Sequence, residues 1–478
     1  MTNELSVWGS PIEQFEPPPI ELHRGQLRFA ERLIHRHGHN IRNAHGVDWL
    51  TWTGTHWAPD EDGEITRLVI ETVKAAYAEI PRLEDSEDRK NLFADVRRCE
   101  SASGINGVKT LTADLKPAAI SHKSLDADPS LFNTPSGTIV LTTGTTRKHQ
   151  REDNITRISG APVGNPSPTW DVFLARVVPD PDVRSFLQRV IGYAMLGEVR
   201  EQYMPILTGT GANGKGVFRD AILAAFGDYA IEVDPKLLME TKHDRHGTFL
   251  MELRGRRLVF CSETERGRRF AESTMKRLTG GDPIQANRMH KDPITFQPSH
   301  TLIMITNHLP AISGDDPAVA RRLLVIPFDV IIPEAERDTT LPEKMRAESP
   351  GIMRWALEGW LAYQRDGLNP PETVQARTRA YLSDQDIIGR FTEEQCIVGA
   401  GNHVGARELY QAYAKWCAQS GERVLTEKEF STSMAGRGVE KNHTKTGKRY
   451  QGIGLYVEEP DDENQDESDG YDDTKLWR

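Results

Sequence analysis

The chain has 478 residues, 37% of them apolar and 27% charged, and its formal net charge is −11. That length predicts about three domains of roughly 150 residues each, and no apolar run approaches the ~20 residues that a membrane-spanning helix needs. Cys99, Cys261, Cys396 and Cys417 are scattered without a CxxC pair, which argues against a disulfide framework or zinc site and fits a reducing cytoplasm.

Residues 1–22 are Pro-rich and predict a flexible arm, with no basic stretch leading into an apolar core and so no secretion leader. Residues 25–45 read as helical. The aromatic, Gly and Thr residues of WLTWTGTHWAPDEDGE (Trp49–Glu64) predict a β-hairpin; its three tryptophans read as the core of a small sheet before they read as a base-stacking platform. Helical periodicity with charged faces fills 65–125, and short strands around turns fill Leu131–His149. Together these make residues 23–160 an N-terminal α+β domain. GAPVGNPSPTW (Gly160–Trp170) is rich in Gly and Pro and reads as a linker. Helices are expected at 170–178 and 182–197.

From 203 to 330 apolar strands alternate with helices, the pattern of an α/β domain with a mostly parallel sheet. The strand candidates are 204–207, 257–261, 301–306 and 323–328, and 341–385 reads as mostly helical. Residues 386–457 give helix, helix and a Gly-punctuated pair of strands, the outline of a winged helix. The last stretch, 458–478, is predicted to be a disordered acidic tail. Its ten acidic and two basic residues leave only −3 for residues 1–457. A near-neutral body neither supports nor excludes nucleic-acid binding through a local basic loop.

The chemistry concentrates in YMPILTGTGANGKGVFRDAILAAFG (Tyr203–Gly227), which reads as strand, Gly-rich loop, helix. GTGANGKG (Gly209–Gly216) fits GxxxxGK. A phosphate cradle needs successive backbone N–H groups turned inward, which glycines permit, and the helix from about Val217 aims its N-terminus at the anion. Gly209, Thr210, Gly211, Ala212, Asn213, Gly214, Lys215, Gly216 and Val217 are the expected phosphate-binding set, with Lys215 reaching the β/γ-phosphates. Position 216 is glycine where such loops carry Ser or Thr. That removes a direct Mg²⁺ ligand, though the metal can keep a water there.

Three more segments follow in order. RGRRLVFCSETE (Arg254–Glu265) is an apolar strand ending in acids, where Glu263, with Glu265 second, would serve Mg²⁺ and the attacking water. TLIMITN (Thr301–Asn307) delivers Asn307 to a strand end, where its amide can orient water. DDPAVARRLLVIPF (Asp315–Phe328) sets Arg321 and Arg322 before a strand, where an arginine can act on a neighbouring subunit's phosphates. Each alone also fits an ordinary strand end or turn; their sequence within about 125 residues carries the reading.

At these residues the chain resembles the superfamily 3 helicases of the AAA+ class, and more closely the phage/plasmid primase–helicase family with the poxvirus-type NTPase/helicase domain. LTGGDPI (Leu278–Ile284) and TNHLP are particular to that family, and LFNTPSGTIVLTTG (Leu131–Gly144) is similar to its segment ahead of the motor. The resemblance covers 125–330 well, 386–457 loosely and 1–125 in outline. It implies an AAA+ P-loop fold over 166–385, with ATP and Mg²⁺ as cofactors. It further implies Glu263 as metal and catalytic carboxylate, Asn307 as sensor and Arg322, with Arg321 as its alternate, as finger. ANRMHKDPITF (Ala286–Phe296) takes the place of the hairpin that projects into the ring channel, with His290 and Lys291 touching DNA. In the winged-helix segment, Lys445, Lys448 and Arg449, with Lys441, form a basic wing for DNA. The departure is Gly216, which puts metal affinity in question.

The expectation is a ring-forming, ATP-dependent replicative DNA helicase of a phage or mobile element. It would be a hexamer on single-stranded and forked DNA, in the cytoplasm of a bacterial host at the nucleoid, without membrane contact and working beside a separate primase or polymerase. No DxD-plus-His pattern in residues 1–150 supports primer synthesis; DAD (Asp126–Asp128) is too little. Two rivals remain: an ATP-binding replication initiator or loader with little hydrolysis, favoured by Gly216, and a P-loop ATPase acting on proteins.

Overall fold

The computed structural model describes residues 23–240, 246–262, 269–287, 293–312, 316–444 and 447–456. The proposed arm, the whole acidic tail, and Glu263, Glu265, His290, Lys291 and Lys445 lie outside them. Two compact units emerge: Met1–Ile312 with Ala318–Thr378, and Ser313–Pro317 with Arg379–Arg478.

The first unit opens with α1 (Gly25–His37), β1 (Ile41–Ala44), β2 (Asp48–Trp52) and β3 (Trp57–Pro59). The helix expected over 25–45 therefore stops at His37. Gly38 and Asn40 are weak helix formers, and Ile41–Ala44 pairs antiparallel with β2 instead. Trp57 is fully buried and Trp49 nearly so, so they are core rather than an exposed stacking platform. Next come α2 (Glu64–Glu79), α3 (Ser86–Cys99), α4 (Ala102–Ala113) and β4 (Ala119–Ile120), giving the sheet order β3-β2-β1-β4. Val69, Val73, Leu92, Val96 and Val108 pack the helices on Phe29 and Leu33 of α1. Side chains of Asp85 and Ser101 accept from the first N–H groups of α3 and α4, which those ends otherwise leave unpaired.

An antiparallel sheet of β5 (Leu131–Thr134), β6 (Gly137–Val140) and β7 (Thr145–Arg147) follows. Phe132 and Ile139 join the same apolar core as the helices and sheet that come after. The stretch Gly160–Trp170 is no free linker. Gly160 N–H donates to the Ala225 carbonyl (3.0 Å) and Gly164 N–H to the Pro350 carbonyl (2.9 Å). The hydroxyls of Ser167 and Thr169 both bond Glu348. Its Gly and Pro make tight turns against neighbouring backbone, so composition misreads it.

Helices α5 (Pro168–Val177) and α6 (Pro181–Tyr193) lead into β8 (Met204–Thr208), α7 (Lys215–Phe226), β9 (Ala230–Val233), α8 (His246–Glu252) and β10 (Leu258–Ser262). Then come α9 (Glu272–Thr279), the ribbon β11 (Ile284–Ala286) and β12 (Ile294–Phe296), β13 (Thr301–Thr306), α10 (Pro317–Ala320) and β14 (Leu323–Pro327). The five-stranded sheet runs β14-β8-β13-β10-β9, and every pair is parallel. Its central strands are buried on both faces, which is why they read as continuous apolar runs. Helices α11 (Leu341–Ala347), α12 (Ser349–Asp366) and α13 (Glu372–Gln385) follow. The chain is thus a mixed α/β protein built on a parallel sheet.

The second unit, described by itself, contains α14 (Ile387–Gln395), β15 (Cys396–Gly405), α15 (Ala406–Ser420), α16 (Glu427–Gly436), β16 (Lys441–Thr444) and β17 (Gly447–Leu455). Its antiparallel sheet runs β15-β17-β16. Phe391, Leu409, Tyr413, Trp416 and Phe430 form its core. The unit begins at 379 rather than 386, and β15 was not foreseen between the helices. No described helix is long and apolar enough to cross a membrane.

Candidate nucleotide-binding site

In a parallel sheet, loops at the carboxyl ends of the strands gather on one side, where ligands bind. Here those ends bring together the loop after β8, the tip of β10 and the residue after β13. α7 starts at Lys215, and Gly214 before it has φ +83°; a side chain there would be strained and would meet Val177 Cγ1 at 2.6 Å. At Gly209 a Cβ would stand 2.1 Å from the Phe328 carbonyl oxygen. The loop is stapled to the chain after β14: Asn213 Nδ2 donates to that same oxygen (2.9 Å) and Ile332 N–H donates to the Ala212 carbonyl (2.9 Å).

Lys215 is 5% exposed. Its Nζ donates to the Gly209 carbonyl (2.8 Å) and to Asn307 Oδ1 (3.0 Å). A buried ammonium must find acceptors, and these lie across the mouth of the loop. Asn307 reaches it because β13 is inserted between β8 and β10. Lys215 and Asn307, 92 residues apart, are therefore direct partners.

The donor set fits a nucleotide's phosphates: an ammonium held in the loop, a helix N-terminus behind it and an amide beside it. For Mg²⁺, Gly216 offers no ligand. It is exposed, and a Cβ built on it would meet nothing within 4 Å, so there is room for a water where the hydroxyl would be.

One turn along α7 lies Arg219, which sequence reasoning passed over. It donates to Glu232 Oε1 (2.9 Å) and to Ser262 Oγ (3.2 Å), tying α7 to β9 and to the tip of β10. Burial lowers its pKa, but Asp220 and Glu232 more than offset that and hold it charged. A charged residue on a helix flank reads as solvated surface, and β9 was not foreseen, so no signal pointed to the pair.

The arginine pair divides. Arg322, the first choice from sequence, is 6% exposed and donates to the Ala318 carbonyl (2.6 Å) and Gln202 Oε1 (2.9 Å). Arg321 is exposed. Of the wing residues, Lys448 is exposed opposite His443, and Arg449 is half-buried opposite Asn442 on the β16–β17 ribbon. Among the described residues no group of three His, Cys, Asp or Glu gathers to hold a metal; Asp126 instead accepts from Thr156 N–H and Oγ1 (2.7 and 2.6 Å).

Comparison with known proteins agrees with the resemblance read above. Residues 30–179 match the family described as D5 N terminal like, and 383–462 the one described as Poxvirus D5 protein-like. Residues 207–322 match a family of unknown function. A protein named as a helicase in Acanthamoeba polyphaga mimivirus is 25% identical over 410 residues, covering 77% of this chain and 43% of its own length. One named as a primase in African swine fever virus is 23% identical over 325 residues, covering 62% of this chain and 34% of its own. The chain thus spans less than half the length of these curated relatives. The C-terminal region of NrS-1 aligns with 61% of this chain and 77% of its own, at 14% identity and a TM-score of 0.39, too slight a likeness to argue from. Two flanking family matches and the viral relatives support the likeness of this chain to the phage and viral primase–helicase family.

Proposed function

We propose that the chain is the ATP-driven motor of a ring-forming DNA helicase from a phage or related mobile element, moving on single-stranded DNA. The observation that carries this is the Lys215–Asn307 contact across the strand ends. It supports a loop set to take phosphate oxygens in place of the Gly209 carbonyl. The strand order supports an AAA+ core of the superfamily 3 kind, because it puts a strand with a polar terminus between the loop strand and the strand ending in acids. Lys215 would neutralise the β/γ-phosphates and Asn307 would orient the water. Glu263, the residue after Ser262 at the tip of β10, would accept that water's proton. Bound Mg²⁺ would supply charge stabilisation at the phosphates, with solvent in the place left by Gly216. Between the two arginines, exposure favours Arg321 for reaching a neighbouring subunit, because Arg322 is held by its own chain.

The helix–strand–helix–helix–ribbon order of the second unit supports a winged helix, with Lys448 and Arg449 on its ribbon available to DNA phosphates. His290 and Lys291, which lie between β11 and β12 in the sequence, would do the same. A hexamer in the host cytoplasm, served by a separate primase or polymerase, completes the reading.

The test is ATP hydrolysis with and without single-stranded DNA across a Mg²⁺ titration, beside Glu263→Gln. DNA-stimulated turnover that the variant loses is expected. ATP binding without turnover at any Mg²⁺ would move the chain to the initiator or loader class, which the missing hydroxyl at 216 favours.

A further inference from the structure

A sizeable cleft among the described residues lies away from the phosphate loop. It has a volume of 670 Å³ and opens at the other end of the sheet, where His122–Pro129 meets the starts of β10 and β13 and the foot of the β11–β12 ribbon. β10 separates the two places by about 16 Å at ~3.3 Å per residue. Both legs of the ribbon spring from the cleft wall: Gly281 and Pro283 precede β11, and Gln297–Ser299 follow β12. These include part of LTGGDPI, the segment that the motor chemistry leaves without a role.

The wall is cationic in effect. Lys123, Arg254 and Arg257 line it, against Asp126 and Glu198. Both acids are engaged elsewhere. Asp126 accepts twice from Thr156, and Glu198 pairs with Arg200 at 3.0 Å. Lys123 is exposed at the rim. Two nitrogens at the wall are buried without a hydrogen-bond partner: His122 Nε2 and Arg257 Nε. Arg257 is 4% exposed. Phe296, half-exposed at the foot of the ribbon, offers a ring face to a base. The volume suits two or so nucleotide residues.

We propose that this cleft is a backbone-phosphate site for single-stranded nucleic acid, holding the strand at the foot of the β11–β12 ribbon through Lys123, His122 and Arg254. It deepens the helicase reading and rests on it for the partner, but phosphate binding here needs no ATP hydrolysis.

The test uses the full chain and a fluorescent 15-nucleotide oligo-dT, with dTMP and inorganic phosphate as competitors. Lys123 is exposed, so Lys123→Glu leaves the fold intact; Arg254→Gln is the second variant, its fold checked by thermal melting. Each lost phosphate contact lowers the salt slope of log K by ~0.7 for a single strand. Lys123→Glu is expected to weaken oligo-dT binding about tenfold at low salt and to lower the slope by at least that step, with ATP binding unchanged. Lys215→Ala should do the converse, removing ATP binding and leaving nucleotide-free oligo binding as it was. Unchanged affinity and slope in both cleft variants overturn the proposal. So does an effect confined to dTMP or phosphate, which would make the cleft a free-nucleotide or anion site. If the wild type binds oligo-dT in the cleft yet shows no DNA-stimulated turnover, the helicase reading fails and the cleft stands.

Discussion

The two ends of the five-stranded sheet each bury cationic or titratable side chains, and they keep them differently. At the carboxyl end, Lys215 sits among exchangeable oxygens, the Gly209 carbonyl and the Asn307 amide. At the amino end, Arg257 lies over the Tyr229 ring (5.6 Å) and donates to the carbonyls of Pro129 (3.4 Å) and Leu131 (3.1 Å). It is packed so closely that a Cβ on Gly197 would stand 1.1 Å from its Nη1. His300, one residue before β13, is 4% exposed with neither ring nitrogen partnered. The first arrangement can trade its partners for a ligand's. The second joins β5 and the start of β10 and is built to stay.

Replacing the ion at each end sharpens that contrast. Lys215→Ala should lower ATP turnover by at least a hundredfold, roughly 3 kcal/mol in the barrier, and leave the melting temperature within a degree or two. An unchanged rate would remove the loop from the chemistry. Arg257→Leu should act the other way round. It strands the Leu131 carbonyl, at about 1–3 kcal/mol, while the Pro129 carbonyl keeps the Gly197 N–H (3.0 Å), so a stability loss of about 2 kcal/mol is expected in denaturant titration. The ATP affinity of the surviving folded protein should be untouched. A melting curve like the wild type's would show that Arg257 clamps nothing.

His300 gives the amino end a pH signature. Burial pushes it down to about 4 from its ordinary 6.5. Between those values the unfolded chain takes up a proton that the folded chain refuses. Stability is therefore full above about pH 6.5 and falls as pH drops toward 4, by up to about 3 kcal/mol. His300→Leu needs no partner for its side chain and should flatten the dependence of melting temperature on pH across that window. A slope equal to the wild type's would mean that His300 is charged or hydrated in the folded state.

Much of the sheet was legible from sequence because strands buried on both faces cannot alternate. β8, β10, β13 and β14 start and end within a residue or so of the apolar runs 204–207, 257–261, 301–306 and 323–328. β9 was missed: four residues at the sheet edge, with Glu232 in the middle, carry no such run. β1 was missed for a similar reason, its two central residues being Arg42 and Asn43. In the candidate site, Lys215 and Asn307 were legible because glycines and a strand terminus fix where they sit. The division of Arg321 from Arg322 was not, since two residues in a turn before a strand give no periodicity to say which one turns inward. Arg219 and the cleft at the amino end were hidden for a deeper reason. Both depend on segments far apart in the chain, and neither segment's own pattern announces the other.

The smallest expected effect bears on the residue that departs from the family's pattern. The space beside Gly216 is open, so Gly216→Ser introduces no clash. Glycine is also a poorer helix former than serine, by a few tenths of a kcal/mol. The variant should therefore fold at least as well as the wild type. If solvent now fills the hydroxyl's place on Mg²⁺, serine should lower the Mg²⁺ concentration for half-maximal nucleotide binding by about tenfold, near 1.4 kcal/mol. Affinity for nucleotide in EDTA should stay the same, because Lys215 and the loop N–H groups are unaltered. That pair of readings separates metal binding from phosphate binding without relying on turnover. A Mg²⁺ requirement that serine leaves unchanged would mean that the metal is held entirely from the β10 side, and that position 216 was free to lose its hydroxyl. A gain in EDTA as well would trace the effect to a better-formed helix start rather than to the metal.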